Sequence, residues 1–211
     1  MKDLFVFTAD ADAEGLIRSV LNRSRGLGIR PITFDVERHV GRDPGMVKDG
    51  PEIARMKVQK ADYKQLILVW DHDGSGWHTM KPDNAVAKIQ QRLNGITWES
   101  RSAAIVIVPE LEEWIWHCRT SLARHFELTP GGFDRVIEAI ASDRDLSIER
   151  FSTEFPKEFL GDLFYKQRRC QPLPEDFANL AASANLQAWA SSPTFRRFRT
   201  ILREWFPPNK G

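Results

Sequence analysis

Short runs of consecutive apolar residues alternate along the first half of the chain with segments in which apolar residues recur at helical spacing. The runs at 4–7, 66–70 and 105–108 contain only apolar residues, which is typical of strands buried on both faces of a parallel sheet. A mixed run at 31–36 is a further candidate strand. The pattern therefore predicts four strands.

The segments between these runs predict helices. After the first strand, apolar residues from Ala13 to Leu21 recur every three or four positions, and Gly26 or Gly28 is expected to end this helix. Further helices are predicted at 52–60, 84–93 and 110–125, and a loop at 39–50. Strands that alternate with helices indicate an α/β fold, with a mainly parallel sheet flanked by helices.

The pattern changes beyond Pro130, where helices are separated by proline-containing turns. We place a domain boundary near residue 129. The expected organisation is an α/β core over 1–129 and a helical C-terminal region over 130–211 docked on that core.

Composition narrows the function classes. The chain has 211 residues, 42% of them hydrophobic, and a net charge of +1, so overall charge does not favour nucleic acid and local patches would have to bind it. No apolar run approaches the roughly 20 residues of a membrane span, and no signal peptide is visible. Cys118 and Cys170 lack metal-site spacing and are expected to be reduced thiols in a cytoplasmic protein.

Carboxylates follow three of the four predicted strands. Asp71 and Asp73 end the run at 66–70, and the like charges of such a pair are most easily offset by a divalent cation. A simple strand-to-loop turn that uses Asp and Gly is the alternative. His72, between the two acids, is expected to be structural or to support a ligand rather than to be one.

Asp10 and Asp12 follow the first strand. Either of them can cap the first helix, which is a common role of Asp at that position. Capping needs only one carboxylate, so the second one suggests a site. We place Asp10 ahead of Asp12 because it is nearer the end of the strand.

Three acids follow the fourth strand: Glu110, Glu112 and Glu113. Carboxylates are favoured in the first turn of a helix, and this effect alone can explain all three. The predicted buried stripe of this helix places Glu113 nearly opposite the core, which makes it the weakest candidate ligand. Glu110 and Glu112 remain candidates.

Basic residues form two candidate phosphate contacts. Arg42 lies in the predicted loop after the second strand, at the edge where α/β sheets bind ligands. Arg196, Arg199 and Arg203 share one face of the last predicted helix and, with Lys166, could contact a phosphate backbone. A solvated basic face is the alternative for this second set.

Together these motifs resemble the Toprim-type fold. An apolar strand leads into acids and a helix, a later strand ends in Asp-x-Asp-Gly, and another is followed by Pro-x-Leu-Glu-x-Trp. Within that fold the chain is similar to small proteins related to overcoming-lysogenization-defect nucleases, including the family called domain of unknown function 4276. Two C-terminal segments carry the same resemblance: 156–166 and 192–202.

The resemblance implies a nuclease that cleaves phosphodiester bonds with one or two Mg²⁺ or Mn²⁺ ions. Matched to the family motifs, Asp71 and Asp73 correspond to the Asp pair, and Glu112 corresponds to the acid of the Glu-x-Trp motif. Where the family has Glu-Gly after the first strand, this chain has Ala9-Asp10, so Asp10 would replace the glutamate with a shorter reach. The implied partners are DNA or RNA and protein partners of a prokaryotic phage-defence complex.

Two alternatives stay open. A core that has lost the family glutamate could be a non-catalytic assembly or sensor subunit of such a complex. The sequence from Asp71 to Ser75 also resembles the nucleophile motif of haloacid-dehalogenase-type phosphatases, with Asp71 as nucleophile and Asp73 as general acid and base. That motif normally follows the first strand, whereas two candidate strands precede it here.

Overall fold

The computed structural model describes residues 1–209, and it describes the side chains of all of these except 96 and 97. Four parallel strands form one sheet in the order β2-β1-β3-β4. The strands are β1 (Lys2–Thr8), β2 (Phe34–Arg38), β3 (Tyr63–Asp71) and β4 (Ser102–Ile107). The predicted α/β class with a parallel sheet and helical C-terminal part is confirmed.

Helices connect the strands and make up the rest of the chain. The first half contains α1 (Ala11–Leu21), α2 (Ser24–Leu27), α3 (Arg42–Lys48), α4 (Gly50–Lys60), α5 (Pro82–Leu93), α6 (Glu112–Trp116) and α7 (Arg119–His125). The second half contains α8 (Pro130–Asp143), α9 (Ile148–Glu154), α10 (Pro156–Arg168), α11 (Pro174–Ser183), α12 (Leu186–Trp189) and α13 (Pro193–Trp205). A 3-10 turn covers Asp73–Ser75, and a π-helical turn covers Asn94–Trp98.

Four predicted elements differ from the structure. The first helix, which was expected to end at Gly26 or Gly28, ends at Leu21, and Gly28 caps the separate helix α2. The second strand begins at Phe34 instead of 31, because Pro31 has no N–H for the ladder and the N–H of Thr33 donates to the Asp3 carboxylate. The predicted loop at 39–50 contains α3, whose Met46 and Val47 are buried in the core. The predicted helix at 110–125 is broken between α6 and α7.

Each face of the sheet covers its own hydrophobic core. Residues such as Phe5, Leu68 and Val106 pack against helices α3 to α5. On the other face, Val6 and Ile105 pack into a larger core that includes α1 and the C-terminal helices. That larger core is continuous across residue 129, so the division at this residue stays a prediction, and the last two residues of the predicted region 130–211 lie outside the described residues.

No helix within residues 1–209 is long and apolar enough to cross a membrane. Cys118 is buried, Cys170 is exposed, and neither forms a disulfide, as predicted.

Candidate functional site

The carboxyl ends of the strands meet at one edge of the sheet because all four strands are parallel. Thr8 at the end of β1 is level with Val69 of β3, and Asp71 is level with Ile107 of β4. The segments that follow carry a connected set of carboxylates, which we call the acidic rim: Asp10, Asp12, Asp43, Asp71, Asp73, Glu110 and Glu112. The structure therefore places all five predicted carboxylates at the same edge of the sheet.

Asp71 lies at the centre of the acidic rim. Its backbone N–H donates to Oδ1 of the buried Asp43 over 2.7 Å. Gly74 makes this approach possible, because a Cβ at that position would lie 2.9 Å from Oδ2 of Asp43. The glycine of the Asp-x-Asp-Gly motif thus makes room for a carboxylate from α3.

Burial and like charge keep these central carboxyls difficult to ionise. Burial raises the pKa of Asp71 well above its ordinary value, and the negative charges of Asp43, Glu112 and Asp10 raise it further. Burial also raises the pKa of Asp43, although the N–H of Asp71 opposes this effect.

Asp10 and Asp12 have different roles. Oδ1 of Asp10 accepts a 3.0 Å hydrogen bond from the N–H of Ala13 and caps α1. Asp12 is the second acid, and burial together with the charge of Asp10 raises its pKa to about 6. Both belong to the acidic rim, so Asp12, which we placed second from the sequence, is an equally strong candidate.

Glu110 and Glu112 approach the rim from the segment after β4. Burial raises the pKa of Glu112 to about 7, and Glu110 and Asp12 add repulsion. The Nζ of Lys157 on α10 lies 3.2 Å from Oε1 of Glu110. Burial opposes the charge of this lysine, but Glu110, Glu112 and Asp71 outweigh that effect and raise its pKa above the ordinary value. Lys157 is thus a permanent cation beside the acids.

Two neighbouring residues have structural roles. Glu113 is buried rather than opposite the core, because α6 packs against α10 and α13. Its carboxylate accepts a 2.6 Å hydrogen bond from Ser192 and pairs with His117. The prediction of its position was wrong, but these partners agree with its exclusion as a ligand. His72 is buried and its Nε2 lies 2.8 Å from the carbonyl oxygen of Met80, in agreement with the structural role that we expected.

Asp73 is the most open of the predicted ligands. Its side chain is 54% exposed, and Oδ1 lies 3.3 Å from Nδ1 of His72. Burial is the main cause of the raised pKa of Glu110, and the charge of Lys157 opposes it. The negative charge of Asp73 raises this pKa further, so Asp73 and Glu110 lie near each other.

The predicted phosphate contacts lie on three different helices, α3, α10 and α13. Arg42 begins α3, is exposed and lies beside the acidic rim, where its charge acts on Asp12. Lys166 instead lies on α10 and pairs with Asp143 at 3.4 Å. Arg196 is exposed on α13.

The other two arginines of α13 support the fold. Arg199 is buried, and its guanidinium donates to the carbonyl oxygens of Leu27 and Gly26 and to Gln187. The prediction that Arg199 contacts phosphate was therefore wrong, because helical spacing alone did not reveal that α2 covers this side of α13. Nε of Arg203 donates to the same Leu27 carbonyl over 2.7 Å. This bond ties Arg203 to the fold too, although the residue is exposed.

The donor chemistry of the acidic rim fits a hard divalent cation. Every side chain of the rim offers carboxylate oxygens, the ligands that Mg²⁺ and Mn²⁺ prefer, and a cation would offset the repulsion at Asp71 and Glu112. Within residues 1–209, however, no three His, Cys, Asp or Glu side chains converge closely enough to ligate an ion as they stand. The acidic rim thus fits a divalent cation in its ligand type and its place in the fold, and not in the present distances between its side chains.

Sequence reasoning left two members of this site out. Asp43 was grouped with a polar loop, because the segment was not predicted as a helix packed under β3. Lys157 is separated from Glu110 by 47 residues, so only the docking of α10 brings them together. The segment 156–166, which carries part of the family resemblance, includes this lysine but did not single it out.

Comparisons with known proteins give limited information. No protein-family model matches the sequence, and no curated protein is significantly similar to it. Among solved structures, the chain is similar to the C-terminal region of the Burkholderia pseudomallei OLD protein, with 15% identity, a TM-score of 0.49, and coverage of 97% of this chain and 98% of that chain. A likeness at this level says nothing of chemistry, and the Toprim resemblance stays a prediction.

Proposed function

We propose that the chain is a divalent-metal-dependent hydrolase of phosphodiester bonds in nucleic acid. The observation that supports this most is the acidic rim, in which carboxylates from three strand ends and from α3 lie together at the ligand-binding edge of a parallel sheet. The substrate class rests on the resemblance of the sequence motifs to Toprim-type enzymes.

The residues of the rim divide into two roles. Asp71, Asp73, Glu112, Asp10 and Glu110, with Asp12 as an equally strong candidate, would hold Mg²⁺ or Mn²⁺, which supplies activation of water and stabilisation of the leaving oxygen when it is bound. Two residues on α3 and α10 would support these metal ligands. Asp43 fixes the backbone of Asp71 through its 2.7 Å hydrogen bond, and Lys157 offers a fixed positive charge to an anionic substrate.

A cleavage assay on labelled DNA and RNA with Mg²⁺ or Mn²⁺ tests the proposal. The double variant Asp71→Asn/Asp73→Asn should lose more activity than the roughly tenfold to hundredfold that loss of a supporting residue costs. The double variant Asp62→Asn/Asp134→Asn, at two exposed positions, is the matched control and should keep wild-type activity. Cleavage retained by the first variant, or not stimulated by metal in the wild type, would contradict the proposal.

One observation favours a second candidate function, a non-catalytic assembly or sensor subunit. Asp10, which stands where the resembled family has glutamate, uses one carboxylate oxygen to cap α1. Metal binding without cleavage of either nucleic acid, together with co-purification with proteins of neighbouring genes, would support this function. A place in a phage-defence system belongs to the same set of proposals.

The phosphatase interpretation has less support. The Asp-x-Asp motif follows β3, and two strands precede it in the chain, as the sequence predicted. A nucleophile motif of the haloacid-dehalogenase type would follow the first strand.

A further inference from the structure

A cavity of about 450 Å³ lies beside the acidic rim, at the carboxyl ends of β1 and β2. Its wall on the β1 side is formed by Ala9, Asp10 and Ala11. Its wall on the β2 side is formed by the segment from Arg38 to Arg42, which includes two arginines. Asp10 belongs both to this cavity and to the rim, so the two sites are contiguous.

The two arginines are available to a ligand. Among the described residues, the side chain of Arg42 has no hydrogen-bond or ion-pair partner, and its charge reaches Asp12 only over a longer distance. Arg38 has one acidic neighbour, Oε2 of Glu14 at 3.9 Å, and its side chain is 57% exposed. A guanidinium group without a partner and one held only by a long, exposed ion pair are both suited to bidentate binding of phosphate oxygens at a cavity.

The loop that carries these arginines is held in place without them. Nδ1 of the buried His39 accepts from the N–H of Gly41 over 2.8 Å, and its Nε2 lies 3.0 Å from Asp49. The imidazole packs so tightly on Gly45 that a Cβ there would lie 2.3 Å from it. His39 therefore holds the loop in place, and the loop does not need the arginine side chains for its stability.

The backbone of Arg42 supports a role in binding. It has a φ of 52°, in the left-handed region that non-glycine residues seldom adopt. Such conformations cluster at active sites and at loops that clamp ligands. Between the two arginines, Val40 is 98% exposed, so the loop offers solvent an apolar tip flanked by positive charges. This combination suits a ligand that carries phosphates and apolar surfaces together, as a nucleic-acid strand does.

We propose that this cavity binds the phosphate of a nucleic-acid strand that adjoins the phosphate held at the acidic rim. The inference rests on the proposed function, because the rim defines where the scissile phosphate lies. Arg38 and Arg42 bind the adjoining phosphate, and Val40 contacts the sugar or base between the two phosphates. The acidic member of the wall, Asp10, already uses Oδ1 to cap α1, and a cation at the rim would offset its charge.

Binding of a short fluorescein-labelled single-stranded DNA in Ca²⁺ buffer, followed by fluorescence anisotropy, tests this proposal. The variant Arg38→Gln/Arg42→Asn removes both charges, and asparagine tolerates the left-handed backbone at 42. The matched control is Arg55→Gln/Arg135→Gln, at two exposed positions on α4 and α8. Arg38→Gln alone, which changes no unusual backbone, provides a second variant.

The cavity variant should raise Kd more than about fivefold above that of the control, and the salt slope should fall by about 0.7 for one lost phosphate contact. Arg38→Gln alone should give part of the rise. Hydrolysis of the p-nitrophenyl ester of thymidine monophosphate, which has a single phosphate, should stay at the wild-type rate in the control variant Arg55→Gln/Arg135→Gln. A Kd within fivefold of the control, with unchanged melting temperature, would overturn the proposal.

The two proposals fail in different ways. A wild-type protein that binds the DNA through Arg38 and Arg42 but hydrolyses neither probe would overturn the proposed function and support the cavity. Metal-dependent hydrolysis of both probes, with binding unaffected by the two arginines, would overturn the cavity and support the function.

Discussion

Carboxylates at the two edges of the same sheet have opposite surroundings. At the amino edge, Asp3 accepts hydrogen bonds from Arg30, Lys64 and Thr33, and the bond from Arg30 contributes most to lowering its pKa below the ordinary range. At the carboxyl edge, burial and like charge raise the pKa of Asp71 and Glu112. One sheet thus pairs its acids at one end and crowds them at the other.

Asp35 shows that the pairing at the amino edge is systematic. Burial opposes its ionisation, yet hydrogen bonds from Lys2 and Tyr63 lower its pKa overall. Among the described residues, the acidic rim has one close ion-pair partner, Lys157 at Glu110, for a larger number of acids. Unrelieved repulsion costs stability, and proteins retain such costs where function requires them.

The largest effect is expected at the amino edge. Asp3→Asn should lower the free energy of unfolding by about 3 kcal/mol, because it breaks a largely buried ion pair and leaves Arg30 without its partner. Urea unfolding at neutral pH measures this change. A loss below about 1 kcal/mol, the usual value of an exposed pair, would show that this edge is not held by its ion pairs.

An Asp→Asn substitution at the carboxyl edge should change the free energy of unfolding in the opposite direction. Asp71→Asn removes a buried carboxylate that repels Asp43, Glu112 and Asp10, so in EDTA at pH 8 it should raise the free energy of unfolding instead of lowering it. The same unfolding experiment measures both variants. Equal destabilisation by the two substitutions would remove the contrast between the edges.

A smaller effect follows from pH. The pKa of Glu112 is raised to about 7 in the folded state. Between the ordinary pKa of a glutamate and this value, the folded protein therefore binds more protons than the unfolded chain. Stability in EDTA should therefore fall as pH rises from about 4.5 to 7, by at least about 1 kcal/mol.

Glu112→Gln should flatten this part of the profile, and Glu138→Gln, at an exposed position, should leave it unchanged. Thermal unfolding at a series of pH values gives the comparison. An identical profile in wild type and Glu112→Gln would show that Glu112 ionises normally.

The strands, the parallel sheet and the acids at the strand ends could be predicted from the sequence, because apolar runs and strand-end residues are local features. The packing between elements could not. Glu113 was expected to face away from the core, yet the C-terminal helices cover that side of α6. Asp43 joins the rim only because α3 packs under β3, in a segment rich in Gly and Pro whose local propensities predict a loop.

The most direct test of the central claim is calorimetric titration of the wild-type protein with Mn²⁺ near pH 6.5, in two buffers of different ionisation enthalpy. If the acidic rim binds the ion, carboxyls whose pKa lies between about 6 and 7 must lose protons, so binding should release at least part of a proton per ion. Asp71→Asn should abolish binding, and Asp134→Asn should preserve both binding and proton release. Absence of Mn²⁺ binding, or binding unaffected by Asp71→Asn, would contradict the claim that these carboxylates form one metal site.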